Sequence, residues 1–261
     1  LLALKEAEAA VGEEDPEDAA TRHYLLARAH LLLGNPGLAL EEIRKALALE
    51  EESGHKAYGT PLVEGQALLQ LGRYEEAMAS FREALARADA GERPHVLHEM
   101  GVAALDHGAY PEAEEHLRAL VREEGYPYLA QAYADLAEAL YRQGRYQEAE
   151  AAAREAVARG AVAAGELVLG HVAYDLLHLE EALEHYRKAA ESAEEGSREW
   201  VGAQEMVVDT LAQLGYRFPE EMVRRGQAVL PYLHPADEWH AALTAYVERA
   251  QALLREGKRL N

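Results

Sequence analysis

The chain contains no cysteine, and that absence excludes two kinds of site. Among its 261 residues there is no Cys, and there are only two Asn. Without thiols the chain can form neither a disulfide framework nor a thiolate metal site. Scarce heat-labile side chains, together with 21 Arg against 5 Lys, suggest a GC-rich and thermophilic source, which we expect to be bacterial.

Positive charge is also scarce. The chain has 26 Lys and Arg against 47 Asp and Glu, which gives a formal net charge of −21. A protein that binds nucleic acid needs a dense basic surface to neutralise phosphates. We therefore expect no direct binding to nucleic acid.

Long apolar runs are missing as well. No stretch approaches the roughly 18 apolar residues of a membrane-spanning helix, and no basic and then apolar signal sequence opens the chain. These absences predict a cytoplasmic protein without membrane insertion. Because the first residue is Leu1, we also expect these residues to belong to a longer product, and removal of a targeting segment stays open.

What the chain does contain is an internal repeat marked by glycine. Gly34, Gly72, Gly108 and Gly144 each end an apolar-periodic segment, and an alanine follows each of them five residues later. These alanines lie 38, 36 and 36 residues apart, and Ala182 continues the series after 33 more. Such a period is typical of repeat architectures. The alanines are Ala39, Ala77, Ala113 and Ala149.

The segments between these marks have the period of a helix. Tyr133, Leu136, Ala137 and Leu140 fall at i, i+3, i+4 and i+7, and no sustained strand alternation occurs. Glycine adopts the left-handed conformation that ends a helix more readily than residues with a Cβ. Each repeat is therefore predicted to be two antiparallel helices joined at the glycine, with the alanines at close helix crossings. A tyrosine two residues past the glycine, as at Tyr146, is predicted to fill the wedge between repeats.

These marks resemble the tetratricopeptide repeat. The resemblance covers roughly residues 20–196, and Gly65, Gly101 and Gly170 stand at the small site of its first helix. One departure is Leu177, which replaces the hinge glycine of the fifth unit. The resemblance implies an all-α right-handed superhelix, or solenoid, of about six helix pairs. We predict a single domain over 1–261 with a partial unit 1–16, units 20–53, 58–91, 94–127, 130–163, 163–196 and 197–230, and a capping helix 236–256.

No catalytic constellation is present in the sequence. His95 and His98 are one helical turn apart, but they lack the His-Glu-x-x-His order of a zinc protease. Paired carboxylates such as Glu75 and Glu76 fall at the start of second helices, where negative charge suits the helix dipole. We therefore predict no enzyme activity, no catalytic residues, no metal site and no cofactor.

The resemblance implies a protein-interaction scaffold whose first helices line a concave groove for a partner peptide. The alternative is the sensor or effector portion of a larger bacterial transcriptional or signalling regulator. Partner identity and oligomeric state stay open. The family's pattern of groove-facing positions gives Tyr24, Arg28, Leu62, Gln66, His95, His98 and Val102 in the first half of the chain, and Glu138, Tyr141, Arg142, His171, Tyr174, Asp175, Glu205 and Asp209 in the second. Because the second set is net acidic, we expect a protein or peptide with a basic segment to bind there, with Tyr141 and Tyr174 covering its aliphatic stems.

Overall fold

The computed structural model describes residues 15–259, and within that range it contains α-helices, one short 3-10 helix and no β-strand. The described chain forms two compact units, of which the first ends at Tyr126 and the second begins at Pro127. The predicted partial unit 1–16 lies outside the described residues, apart from Asp15 and Pro16.

Six helices make up the first unit. They are α1 (Pro16–Leu32), α2 (Pro36–Ser53), α3 (Gly59–Gln70), α4 (Tyr74–Arg87), α5 (Arg93–His107) and α6 (Tyr110–Leu120). Each helix packs against the next one in the chain, and α1 also contacts α3. This serial packing, in which an element touches only its near neighbours, is the arrangement of repeat proteins.

Seven helices and the short 3-10 helix make up the second unit, and they too pack in series. In addition α7 contacts α9, α9 contacts α11, and α11 contacts α13, so alternate helices lie side by side. The elements are α7 (Leu129–Arg142), α8 (Tyr146–Arg159), α9 (Val162–Asp175), α10 (Leu179–Ser192), α11 (Arg198–Gln213), α12 (Pro219–Val229), the 3-10 helix (Leu230–Tyr232) and α13 (Glu238–Arg259).

The turns between paired helices use the left-handed conformation that the glycines predict. Gly34, Gly72, Gly108 and Gly144 have φ angles between 71° and 81°. At the fifth turn Leu177 adopts φ 61° with a side chain that is 79% exposed. This conformation brings the Cβ of an L-residue close to the following carbonyl oxygen, so Leu177 holds strain that the glycines do not.

Glycine on the first helix lets a large side chain of the second helix approach its backbone. A Cβ added to Gly65 would lie 2.3 Å from Phe81, and one added to Gly170 would lie 2.5 Å from Tyr186. Phe81 and Tyr186 are both fully buried. The alanines five residues after the hinges are fully buried too, so their positions have no room for a larger side chain.

The last helix covers the end of the second unit with an apolar stripe. Leu243, Val247 and Ala250 of α13 are buried, whereas Trp239 at its start is 45% exposed. A Cβ added to Gly226 of α12 would lie 2.2 Å from Val247, so α12 and α13 approach closely at that point. The grouping of these helices into units at the predicted boundaries stays a prediction.

We predict that Leu177→Gly stabilises the protein. Glycine removes a left-handed penalty of about 1–2 kcal/mol, offset in part by its own entropy cost of roughly 0.5–1 kcal/mol. The expected gain is therefore about 0.5–1 kcal/mol in urea denaturation. The matched control is Leu176→Gly, because Leu176 has an ordinary φ of −81° and should lose stability. If Leu177→Gly loses as much stability as the control, Leu177 is not strained at this turn.

We predict that Ala149→Leu destabilises the protein by roughly 1–3 kcal/mol, because overpacking a filled crossing forces side chains and backbone apart. Ala149 is fully buried in α8. Ala151 lies on the same helix and is exposed. The control Ala151→Leu should leave the melting temperature almost unchanged. Equal melting temperatures for the two variants would show that Ala149 is not at a close crossing.

Candidate functional site

The predicted groove residues of the second unit lie on alternate helices that contact one another. Because α9 lies beside both α7 and α11, Tyr141 stacks on His171, and Tyr174 reaches Asp209. The predicted residues are Glu138, Tyr141 and Arg142 on α7, His171, Tyr174 and Asp175 on α9, and Glu205 and Asp209 on α11.

Asp175 accepts a hydrogen bond from a tyrosine and remains exposed. The Tyr146 hydroxyl donates to its carboxylate at 3.1 Å, and the carboxylate lies close enough to Tyr141 to add to burial in raising the pKa of that hydroxyl. Within residues 15–259 no Lys, Arg or His forms an ion pair with Asp175. Phenol hydroxyls orient a carboxylate without cancelling its charge, so Asp175 presents negative charge to solvent.

Asp209 has the same kind of partners but is buried. Only 5% of it is exposed. The Tyr174 hydroxyl of α9 donates to it at 2.5 Å, and the Tyr246 hydroxyl of α13 lies close enough for this carboxylate to add to burial in raising its pKa. Asp209 therefore joins α9 to α11 beside α13, and in the described part of the chain it too lacks a cationic partner. A buried carboxylate needs such hydrogen bonds because its desolvation is costly.

The tyrosines stay neutral donors over the ordinary pH range. Burial, reinforced by Asp175, raises the pKa of Tyr141 well above its usual value. Burial and the hydrogen bond to Asp209 raise the pKa of Tyr174 in the same way. The predicted role of Tyr141 and Tyr174, covering the alkyl stems of a partner's basic side chains, stays a prediction. The Tyr174 hydroxyl is already bound to Asp209, and the Tyr141 hydroxyl lies near Asp175.

His171 lies beneath this surface between two aromatic rings. Its ring stacks on Tyr141 with centroids 5.5 Å apart, and its Nδ1 lies 2.9 Å from the Tyr186 hydroxyl. Burial lowers the pKa of His171, so its neutral form is favoured at pH 7. His171 thus supports Tyr141 from below.

The remaining acidic groups of the region are less available. Arg142 pairs with Glu138 at 2.6 Å, one helical turn away. Glu205 is half-buried, and burial together with Asp237 raises the pKa of its carboxyl. Of these acidic residues, Asp175 therefore presents unpaired charge to solvent, whereas Asp209 carries it in a buried position.

In the first unit, several predicted groove residues line one recess of about 700 Å³. The Arg28 guanidinium lies 5.7 Å from the centre of the Tyr24 ring, and among the described residues it forms no ion pair. Gln66 donates to Glu99 at 3.2 Å. The predicted residues that line the recess are Tyr24, Arg28, Leu62, Gln66 and His95.

Of the predicted residues that line this recess, Leu62 is buried, with 5% exposed. The other predicted residues of the first unit, His98 and Val102, are not part of the lining. The Nδ1 of His98 lies 2.8 Å from the Tyr126 hydroxyl, so this imidazole is engaged inside the unit. Val102 is exposed.

A buried ionic network in the wall of the recess was not predicted. Arg87 donates to the Glu50 carboxylate at 2.7 Å and to the carbonyl oxygen of Ala57 at 3.1 Å, and Thr60 also donates to Glu50. A signal was present in the sequence, because Glu50 continues the buried stripe of Ile43 and Ala46 on α2. Its partner Arg87 lies 37 residues away and could not be identified by spacing.

Neither metal-binding groups nor membrane spans occur in the described chain. Within residues 15–259 no three His, Asp or Glu side chains are grouped so that they could hold a metal ion. No helix in that range is both long enough and apolar enough to cross a bilayer. The predicted cytoplasmic location stays a prediction.

Comparison with known sequence families matches this geometry to one family. Tetratricopeptide repeat profiles match residues 98–164 in one case and residues 20–53 and 63–90 in another. The chain is a tetratricopeptide repeat protein. Proteins of this family bind other proteins or peptides and generally act as scaffolds without enzyme activity.

Solved structures confirm the predicted all-α solenoid class for this tetratricopeptide repeat protein. PilF of Pseudomonas aeruginosa superimposes with a TM-score of 0.68 at 16% identity, covering 89% of this chain and 99% of PilF. Cut9, from the APC/C hetero-tetramer Cut9–Hcn1, gives a TM-score of 0.68 at 13% identity over 95% of this chain and 45% of that chain.

A third similar structure has a thermophilic source. It is a tetratricopeptide repeat protein of Thermus thermophilus, with a TM-score of 0.54 at 22% identity over 75% of this chain and all of that one. No curated protein sequence matches the chain. At these identities the structures show the fold alone. The predicted bacterial and thermophilic source, and the alternative role as part of a larger regulator, stay predictions.

We predict that Tyr174→Phe destabilises this tetratricopeptide repeat protein by about 1.5–3 kcal/mol, because it takes a hydrogen bond from a buried charged acceptor. The control is Tyr146→Phe, since Tyr146 donates to the exposed Asp175, where water replaces the lost donor. Urea denaturation of both variants measures the difference. If Tyr146→Phe lowers the free energy of unfolding as much as Tyr174→Phe does, then burial of Asp209 does not explain the loss of stability in Tyr174→Phe.

Proposed function

We propose that this protein is an interaction scaffold that holds a basic segment of a partner protein against α7, α9 and α11. The general scaffold role belongs to the family. The proposal adds to this role where the segment binds and that the segment is basic. The unpaired carboxylates of α9 and α11 support both.

The supporting observation is the pair Asp175 and Asp209. Both carboxylates are held by tyrosine hydroxyls, and neither has a cationic partner in the part of the chain that the structure describes. Other carboxylates of the chain pair with arginine on the same helix, as Glu114 does with Arg118 at 2.7 Å. A Lys or Arg side chain of a partner would supply the missing opposite charge at the exposed Asp175, and the buried Asp209 would add to the attraction through its field. Orientation by the tyrosines reduces the cost of ordering these groups upon binding.

Aromatic rings beside Asp175 suit the alkyl stem of such a side chain. Tyr141 and Tyr146 lie with ring centroids 6.1 Å apart, and Tyr141 is backed by His171. Lys and Arg place their methylene groups on apolar surface and keep the charge at its edge. Asp175 at the edge of these rings would then receive the charged end.

Net charge contributes at longer range. At −21 the protein attracts a basic segment before contact, which raises the association rate at low salt. This attraction acts over the whole surface and does not choose a site. A test must therefore compare equal changes of charge at two places.

We predict that Asp175→Asn combined with Asp209→Asn weakens binding of a basic peptide about tenfold, or ~1.4 kcal/mol. The probe is a short fluorescein-labelled peptide in which Lys alternates with Leu and Ser, and fluorescence anisotropy measures its affinity. Asparagine keeps an acceptor oxygen for the tyrosines while removing the charge. Circular dichroism checks that the double variant is folded.

The control is Glu184→Gln combined with Glu191→Gln on α10. Both glutamates are exposed, lie in the same unit and carry no described partner, so the net charge changes equally. This control should weaken binding less than twofold. If the two double variants weaken peptide binding equally, the loss of affinity comes from net charge alone and not from this site. Tight binding of a peptide with Glu in place of Lys would also contradict the proposal.

A further inference from the structure

The recess of the first unit contains hydrogen-bond donors that have no acceptor. Arg28 of α1 lines it, is exposed, and forms neither an ion pair nor a hydrogen bond with any residue in the range 15–259. Tyr24 and Tyr58 line it as well, and within the same range neither hydroxyl forms a hydrogen bond. A guanidinium carries only donors, and a phenol hydroxyl donates one hydrogen bond. Three groups of the recess are therefore left to donate to a ligand.

These three groups lie in one part of the recess. A Cβ added to Gly59 would lie 3.2 Å from the Tyr24 hydroxyl oxygen, so Tyr24 reaches the start of α3, next to Tyr58. Burial and Glu92 raise the pKa of Tyr58, and the neighbouring Tyr24 adds to this shift. The Arg28 guanidinium lies 5.7 Å from the centre of the Tyr24 ring. Tyr24 is therefore close to both of the other donors.

The carboxylates that line the recess are already engaged. Glu50 accepts a hydrogen bond from Arg87 at 2.7 Å. Glu92 accepts one from the backbone N–H of Asp89 at 2.9 Å. The exposed Glu17 lies 3.9 Å from an imidazole. A ligand that enters the recess therefore meets free donors and engaged acceptors, which favours a ligand that brings acceptors and negative charge.

The rest of the recess suits a small apolar body. Leu62 and Val63 of α3 line it, and both side chains are buried. Its volume of about 700 Å³ falls within the roughly 300–1,000 Å³ that is typical of small-molecule sites. Arg87 donates to the carbonyl oxygen of Ala57 at 3.1 Å and so ties the residue before Tyr58 to α4. The wall that carries one of the donors is therefore held in place without a ligand, which lowers the cost of binding.

We propose that this recess binds a small organic acid. The carboxylate of the acid accepts hydrogen bonds from Arg28 and from the hydroxyls of Tyr24 and Tyr58, and its apolar body lies on Leu62 and Val63. Arginine binds carboxylates through charge-assisted, often bidentate hydrogen bonds, so Arg28 supplies most of the affinity. The site lies within the first unit and takes a ligand of negative charge, so it is independent of the basic-segment site.

The test is isothermal titration calorimetry of the whole chain with benzoate and with hexanoate, which share a carboxylate and differ in the shape of the apolar body. Both acids should bind, and benzamide, which has the shape of benzoate without its charge, should bind at least about tenfold more weakly. Arg28→Gln should weaken benzoate binding at least about tenfold. Tyr58→Phe keeps the ring and removes one donor, so it should weaken binding about threefold. Circular dichroism checks that both variants are folded.

The control is Arg44→Gln on α2. Arg44 is exposed, lies outside the lining of the recess and is 3.4 Å from Glu64, so this variant removes the same charge from the same unit. It should change benzoate affinity less than about twofold. Equal weakening by Arg44→Gln and Arg28→Gln, or equal binding of benzamide and benzoate, would overturn the proposal.

Two further outcomes would also overturn it. The first is that neither acid gives saturable binding. The second is that an acetylated tetrapeptide of Ala and Leu with a free carboxyl end binds more tightly than both acids and depends on Arg28. That result would assign the recess to the end of a peptide chain and not to a small acid.

Discussion

The structure depends on one packing constraint, the insertion of a large second-helix side chain against a glycine of the first helix. At Gly170 this side chain is Tyr186, which a Cβ at that position would displace. Because Tyr186 is seated there, its hydroxyl reaches Nδ1 of His171, and the His171 ring in turn stacks on Tyr141. Tyr141 lies beside Asp175, whose carboxylate adds to burial in raising the pKa of the Tyr141 hydroxyl. A contact in the core therefore positions the aromatic ring next to the exposed carboxylate, through a continuous series of side-chain contacts.

Local features of the fold could be predicted from the sequence, whereas the contacts that build the site could not. A hinge glycine acts within its own turn, so Gly144 and the departure at Leu177 were both visible in the sequence, and the φ angles agree with them. The contact between Tyr174 and Asp209 spans 35 residues, and that between Glu50 and Arg87 spans 37. Such separations exceed one helix pair, and many tyrosines and arginines at similar spacing could have formed these contacts. Periodicity identifies the helices, but only packing selects the partners.

The distribution of charge explains why a few carboxylates stand out in a chain with so many. On the second helices, acidic residues commonly pair with an arginine one turn away, as Glu155 does with Arg159 at 3.2 Å. Pairs of this exposed kind contribute little to stability, but they neutralise the surface locally. On α9 and α11 the carboxylates of Asp175 and Asp209 accept hydrogen bonds from tyrosine hydroxyls, which do not neutralise their negative charge. At Asp175 and Asp209 the carboxylate therefore keeps its charge, because its partner is tyrosine and not arginine.

The last helix is tied to this region by polar as well as apolar contacts. Val247 packs where Gly226 leaves space, and burial and the nearby Asp209 raise the pKa of Tyr246, the adjacent residue on α13. A terminal helix of a repeat array needs an apolar face toward its neighbour and a wet face outward. Here that helix also places a tyrosine beside a buried carboxylate. A buried carboxylate is costly without polar neighbours, so docking of α13 contributes to the environment that stabilises Asp209.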